Sequence, residues 1–183
     1  MQVSELKNGG VFMSKIFYSA VFFFIVALTA SARIGENLEN AGKRYGAPIG
    51  EVQTANGYLN NYYLKNNFLI CIIFKGDQAV SIIYSKPDIN NKFYQQSLQS
   101  KQWADIINYS KFCNVELTTY VIKHLLKVNL DGKTWTEILK NDFWQRSDGI
   151  EAMYDRDKKT LTINSPEYID YIKNSAAQDL VGF

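Results

Sequence analysis

Proline, cysteine and histidine are all scarce in this chain, with three, two and one copies among 183 residues. Prolines stand only at 48, 87 and 166, so long stretches keep every backbone N–H available for helix or sheet. His124 is the one histidine, and a histidine-based metal site or a Ser-His-Asp triad would have to be built around it alone. It falls beside the apolar stripe of a helix, where an exposed position is the plain reading. No P-loop, G-x-G-x-x-G, G-x-S-x-G, H-E-x-x-H or C-x-x-C pattern occurs, so the chain carries no cofactor motif. Charge of one sign is also missing: 20 basic residues face 18 acidic ones, which gives no strong field for nucleic acid or an anionic membrane.

Long apolar runs are confined to the N-terminus. Lys7 and Lys15 precede the stretch Ile16 to Leu28, and Ala30-Ser31-Ala32 follows it, the three parts of an export signal cut after Ala32. Met13 would begin a signal of ordinary length. The competing reading is an uncleaved anchor, since about 17 apolar residues are the lower limit for a span. The first 70 residues hold no cysteine, which argues against an acylated lipoprotein. Residues 1–32 are therefore read as a signal peptide and 33–183 as one exported α+β domain, periplasmic or secreted, without stable membrane insertion once the signal is removed. Cleavage leaves 18 basic and 17 acidic residues.

Cys71 and Cys113 would reach an oxidising compartment, where a bridge between them is allowed. Cys71 lies within the run Phe68 to Phe74, where it can equally serve as a small buried hydrophobe.

The mature chain opens with helical spacing from Leu38 to Tyr45, capped by Asn37 and stopped by Gly46 and Pro48. A period of two follows. Strands are predicted over Ile49 to Thr54, Tyr58 to Lys65, Phe68 to Phe74 and Ala79 to Tyr84, joined by Asn56-Gly57, Asn66-Asn67 and Lys75-Gly76-Asp77. Asp88 to Cys113 is polar, and only Trp103, Ile106 and Ile107 show helical spacing, which predicts one modest helix over Lys101 to Tyr109 with mobile flanks. A stronger helix is capped by Thr118 and carries Val121, Ile122, Leu125, Leu126 and Val128. Strands resume at Lys133 to Leu139, Phe143 to Arg146, Ile150 to Asp155 and Lys159 to Asn164. Ser165-Pro166-Glu167 starts a last helix, expected to end near Asn174.

Tyr63 to Asn67 can be laid on Trp144 to Asp148 at an offset of about 81 residues, and Phe74 on Tyr154 at about 80. Each half then reads as a helix followed by a meander. The fold expected is α+β, with short helices packed on one face of antiparallel sheet and the other face free to hold a partner.

The runs Arg33-Ile34-Gly35-Glu36 and Arg44-Tyr45-Gly46-Ala47-Pro48, the strands around Phe74 to Asp77, and later Trp135 and Trp144 to Gly149 resemble an uncharacterised group of exported bacterial proteins. A helix ending in Tyr-Gly-x-Pro and leading into a meander is also similar to outer-membrane assembly lipoproteins of the SmpA/OmlA type and to β-lactamase-inhibitor-like domains. That resemblance implies a domain that binds proteins and catalyses nothing. The lipidation cysteine of the lipoproteins is absent, so their membrane attachment does not carry over.

Two functional readings follow. In the first, the chain is a non-enzymatic protein-binding or envelope-associated module, its partner another exported protein, with Tyr62, Trp103, Trp135 and Trp144 as candidate binding aromatics. Tyr62 and its neighbour Tyr63 must point to opposite faces of their strand. In the second, Asp148, Glu151, Asp155 and Asp157 serve a secreted hydrolase or carbohydrate-binding protein as acid and base beside the aromatics. Asp148-Gly149 and Asp155 to Lys158 read equally well as solvated turns.

Overall fold

The structure, a computed structural model, describes residues 33–180 apart from 55 and 112, and only the backbone of 177–180. The leader assigned to residues 1–32 and the final three residues lie outside the described residues.

Helix α1 is Leu38–Tyr45, and the Asn37 side chain accepts the Asn40 N–H at 2.9 Å, as its position before the helix predicts. Four strands follow: β1 (Gly50–Gln53), β2 (Tyr58–Lys65), β3 (Phe68–Lys75) and β4 (Gln78–Ser85). Asn66 and Asn67 both take positive φ, 51° and 62°, the geometry that lets a two-residue turn match the twist of its strands. Helix α4 (Thr119–Val128) begins where Thr118 Oγ1 accepts the Val121 N–H, and leads into β5 (Trp135–Leu139), β6 (Phe143–Arg146), β7 (Glu151–Asp155) and β8 (Thr160–Asn164).

The polar segment between the two sets of strands holds two helices rather than one. These are α2 (Lys92–Gln99), capped by Asn91, and α3 (Trp103–Tyr109). Tyr94 of α2 is 2% exposed, so the segment expected to be mobile is anchored by a buried ring. The last helix, α5 (Pro166–Leu180), outruns its expected end, and Ser165 Oγ caps it by accepting the Tyr168 N–H at 3.2 Å.

All eight strands form one antiparallel sheet in the order β1-β2-β3-β4-β8-β7-β6-β5. Each half is a helix followed by a four-stranded meander, and the halves join through their last strands. The register refines the sequence matches. Phe74 lies opposite Ala79 as Tyr154 lies opposite Leu161, in keeping with the offset of about 80. Trp144 faces Ala152, the place that Asn61 holds against Ile72, so β6 aligns two residues away from the match to Tyr63. The longer β6–β7 loop, residues 147–150, absorbs the difference.

Helices cover both faces, which corrects the one-sided covering expected from sequence. On the first face α1 and α4 pack Ala41, Tyr45, Ile122, Leu125 and Leu126 onto Tyr63, Ile72, Phe74, Ile82, Trp144, Leu161 and Ile163. Burying each large aliphatic side chain there stabilises the fold by about 1.5–3 kcal/mol. On the second face Tyr168 and Tyr171 of α5 pack on Tyr58, Cys71, Ile73 and Val80. Beside them, α2 and α3 close over Leu69 with Tyr94 and Ile106.

A charged group is buried within the first face. Arg146 is 4% exposed, and its guanidinium donates to Asp148 through Nε and Nη2 (2.8 and 2.7 Å) and to the Asn129 carbonyl at the end of α4 (2.6 Å). The same guanidinium lies 5.8 Å from the centre of the Trp135 ring. Asn129 in turn donates to the Tyr84 hydroxyl, which carries this polar path from the second half to the first.

The Arg146 hydrogen bonds hold the Asp148 carboxyl below the usual aspartate range. A carboxylate depressed in the folded state adds stability above its unfolded value of about 3.9, and that stability is lost as pH falls through the folded value. Asp148→Asn is therefore expected to cost about 1–2 kcal/mol at pH 7, less than a fully buried pair because water reaches Asp148. The gap between wild type and variant in thermal melts should close below about pH 4. A gap independent of pH would show that the charge of Asp148 is not what Arg146 requires.

Candidate functional site

The register assembles one row of side chains across every strand of the second face. Gly50 faces Tyr62, Tyr62 faces Cys71, Cys71 faces Ile83, Ile83 faces Thr162, Thr162 faces Met153, Met153 faces Phe143 and Phe143 faces Leu139. Cross-strand neighbours on one face lie about 4.5–5.5 Å apart, so the row is continuous. A parallel row, Leu69, Ser85, Thr160 and Asp155, runs beside its middle.

Helix α3 walls these rows on one side. A Cβ on Gly50 would meet Ile107 Cδ1 at 2.6 Å, so the missing side chain at the head of β1 is what lets Ile107 settle on the sheet. Between α3 and the strands lies a groove of about 500 Å³ floored by Tyr62, Cys71, Ile83, Thr162 and Met153 and edged by Lys111, Asp155 and Lys158. A smaller hollow of about 190 Å³ opens on the far side of Met153, between Phe143 and Ile169 and Ile172 of α5. Met153 borders both.

The floor carries no charge at neutral pH. Burial pushes the Cys71 thiol up to about 12, and burial, with Cys71 beside it, pushes the Tyr62 hydroxyl up to about 12. Charge gathers at one end. Lys158 Nζ lies 3.2 Å from Asp155 Oδ2, while Lys111 Nζ donates to Asn108 Oδ1 at 3.2 Å. Asp155 is held ionised, first by the Lys158 backbone N–H and then by its ammonium.

Of the candidate aromatics, Tyr62 lies in the groove, and Trp103 packs with it on the cluster formed by Leu69, Tyr94 and Ile106. Trp135 and Trp144 belong to the other face. Trp135 Nε1 donates to the Leu126 carbonyl, and Trp144 is 4% exposed in the core. Tyr63 is buried there too, opposite in direction to Tyr62 as alternation requires. The carboxylates also separate. Asp148 is engaged by Arg146 in the first layer, Glu151 and Asp155 face the second, and Asp157 is exposed in the turn. His124 is exposed on α4, and no cluster of three or more metal-ligating side chains occurs among the described residues.

The bridge allowed between Cys71 and Cys113 is not made. Both thiols are free, Cys71 buried in the floor and Cys113 exposed beyond α3. Ile83, Thr162 and Met153 are floor residues that sequence reasoning did not single out. Their alternation marked the exposed side of each strand, but only the pairing of β4 with β8 places them side by side.

No known protein family matches the sequence, and no curated protein does. Among solved structures, a cysteine-rich secretory protein from Staphylococcus aureus overlaps at a TM-score of 0.35 and 8% identity, over 74% of this chain and 46% of that one. The chain thus spans under half the length of that protein, and at such a score the overlap carries no argument about function.

Two measurements check this geometry. A thiol reagent at pH 8 should titrate one thiol in the native protein, Cys113, and a second only in denaturant, because the Cys71 thiolate is strongly disfavoured. Two fast thiols in the native state would contradict a buried Cys71. Trp144→Ala should cost about 3–5 kcal/mol in denaturant unfolding, the size of a core cavity. A loss under 1 kcal/mol would place Trp144 at the surface instead.

Proposed function

We propose that the mature chain is an exported, non-enzymatic binding module that holds another exported or envelope protein against the second face of its sheet. The observation that carries this reading is the uncovered part of that face. Leu139, Phe143 and Met153 are successive members of one row, and Leu139 and Met153 are 61% and 50% exposed. Ile172 of α5, exposed beside Phe143 and Met153, extends the apolar strip. Scattered exposed apolar residues need no explanation, but a connected strip on a soluble domain is the signature of a surface made to be covered.

The strip also suits partner recognition by its placement. It lies on the outer strands of the second half, beyond the cover of α2 and α3, so a partner can reach it without rearranging the core. The balanced charge of the mature chain agrees with a protein partner better than with nucleic acid. No helix among the described residues is long and apolar enough to cross a membrane.

The test is capture by the tagged full chain from the exported fraction of its own cells, compared with the Met153→Asp and Leu139→Asp variants. Both positions are half exposed or more, so stability should change by less than about 0.5 kcal/mol. A stoichiometric partner retained by the wild type and reduced at least tenfold by either variant is the expected outcome. A partner retained equally by all three would place the interface elsewhere.

A further inference from the structure

The groove on the second face is chemically polarised along its length. At one end of the groove stand Lys111, Lys158 and Asp155, with the hydroxyl side chains Ser85 and Thr160 beside them. At the other end the groove closes on Met153, and the hollow beyond is lined by Phe143, Ile169 and Ile172 together with Glu151, Asn164 and Lys173. Between them the floor is uncharged and largely apolar. Asp155 compensates one lysine of the pair, which leaves the charged end with one positive charge in excess.

We propose that the groove takes a single-chain amphiphile with an anionic head, a fatty carboxylate in its simplest form, the head at Lys111 and Lys158 and the chain running over Thr162 and Met153. This deepens the binding reading above and rests on it, since both use the same face. Three features carry it together. The cavity of about 500 Å³ falls within the range of small-molecule sites, which are mostly apolar with a few placed polar groups. Its charged groups collect at one end, as a molecule with one charged end requires. The excess charge there is positive, which selects an anion over a cation of the same chain length.

A peptide strand would fit less well. The floor lies in mid-sheet, where every strand is already paired on both sides, so no edge is offered for backbone hydrogen bonds. A sugar would need a denser set of hydrogen-bonding groups than the central floor supplies.

The test is calorimetric titration of the full chain with dodecanoate, dodecyltrimethylammonium and dodecanol, each below its aggregation concentration. The result expected is one dodecanoate per chain, bound at least tenfold more tightly than the ammonium compound. Affinity should rise about tenfold for each two carbons added from octanoate to dodecanoate. Thr162→Trp, which fills the middle of the floor, should abolish binding while circular dichroism and melting temperature stay those of the wild type. The double variant Lys111→Glu with Lys158→Glu should reverse the preference in favour of the ammonium head.

Equal binding of all three probes would overturn the head-group assignment, and binding untouched by Thr162→Trp would overturn the location. Should no probe bind while a protein partner is still lost in Met153→Asp, the amphiphile proposal alone fails and the protein-binding reading stands. If neither is seen, both fail.

Discussion

Everything in this molecule depends on the pairing of β4 with β8. Ser81 to Ser85 lies against Asn164 to Thr160, with Ile82 against Ile163 and Tyr84 against Leu161, all four buried beneath the helices of the first face. Ser81 Oγ and Asn164 Oδ1 are joined at 2.6 Å in the same pairing. A shift of one residue here would turn every side chain of one meander to the opposite face, sending Thr160 and Thr162 into the core and Leu161 and Ile163 into the groove. The core face and the groove face are therefore specified by a single register.

The two halves share a plan and differ in what they add to it. Each places a helix on the first face, and the polar path from Tyr84 through Asn129 to Arg146 links them there. On the second face the symmetry ends. The first half is roofed by α2 and α3, and α5 crosses back over β3 and β4 to bring Tyr171 against Tyr58, the rings tilted at 43° with 4.6 Å between their centres. Lys75 and Glu167 pair at that crossing. The second half receives no such roof, and the bare strip from Leu139 to Met153 is the result.

Much of the fold was legible because local chemistry and tertiary structure agree. Asn37, Thr118 and Ser165 cap the helices they precede, and Asn66-Asn67 makes the turn its composition suggests. Helix α2 was missed because Lys92 to Gln99 offers no apolar stripe: Phe93 and Leu98 remain exposed, and the ring of Tyr94 anchors the segment almost unaided. The site was less legible than the fold. Tyr62 could be named as an aromatic on a strand, yet its row mates Ile83, Thr162 and Met153 come from segments up to 100 positions away, and no local pattern records which strands become neighbours. The tryptophans divide between the two faces for a related reason, since Trp144, buried in the core, looks the same in sequence whether it anchors a partner or fills a core.

The strand order also dictates a history for each newly made chain. β4 is an interior strand that emerges with one long side unsatisfied, and the strand that will satisfy it begins at Thr160, about 75 positions after Ser85. At synthesis rates of about 5–20 residues per second, that wait lasts roughly 4–15 seconds. Throughout it the sequence Gln-Ala-Val-Ser-Ile-Ile-Tyr-Ser presents an apolar, hydrogen-bonding rim of the kind that recruits strands from other chains. Keeping each chain apart from its siblings until its own C-terminal hairpin arrives limits such pairing.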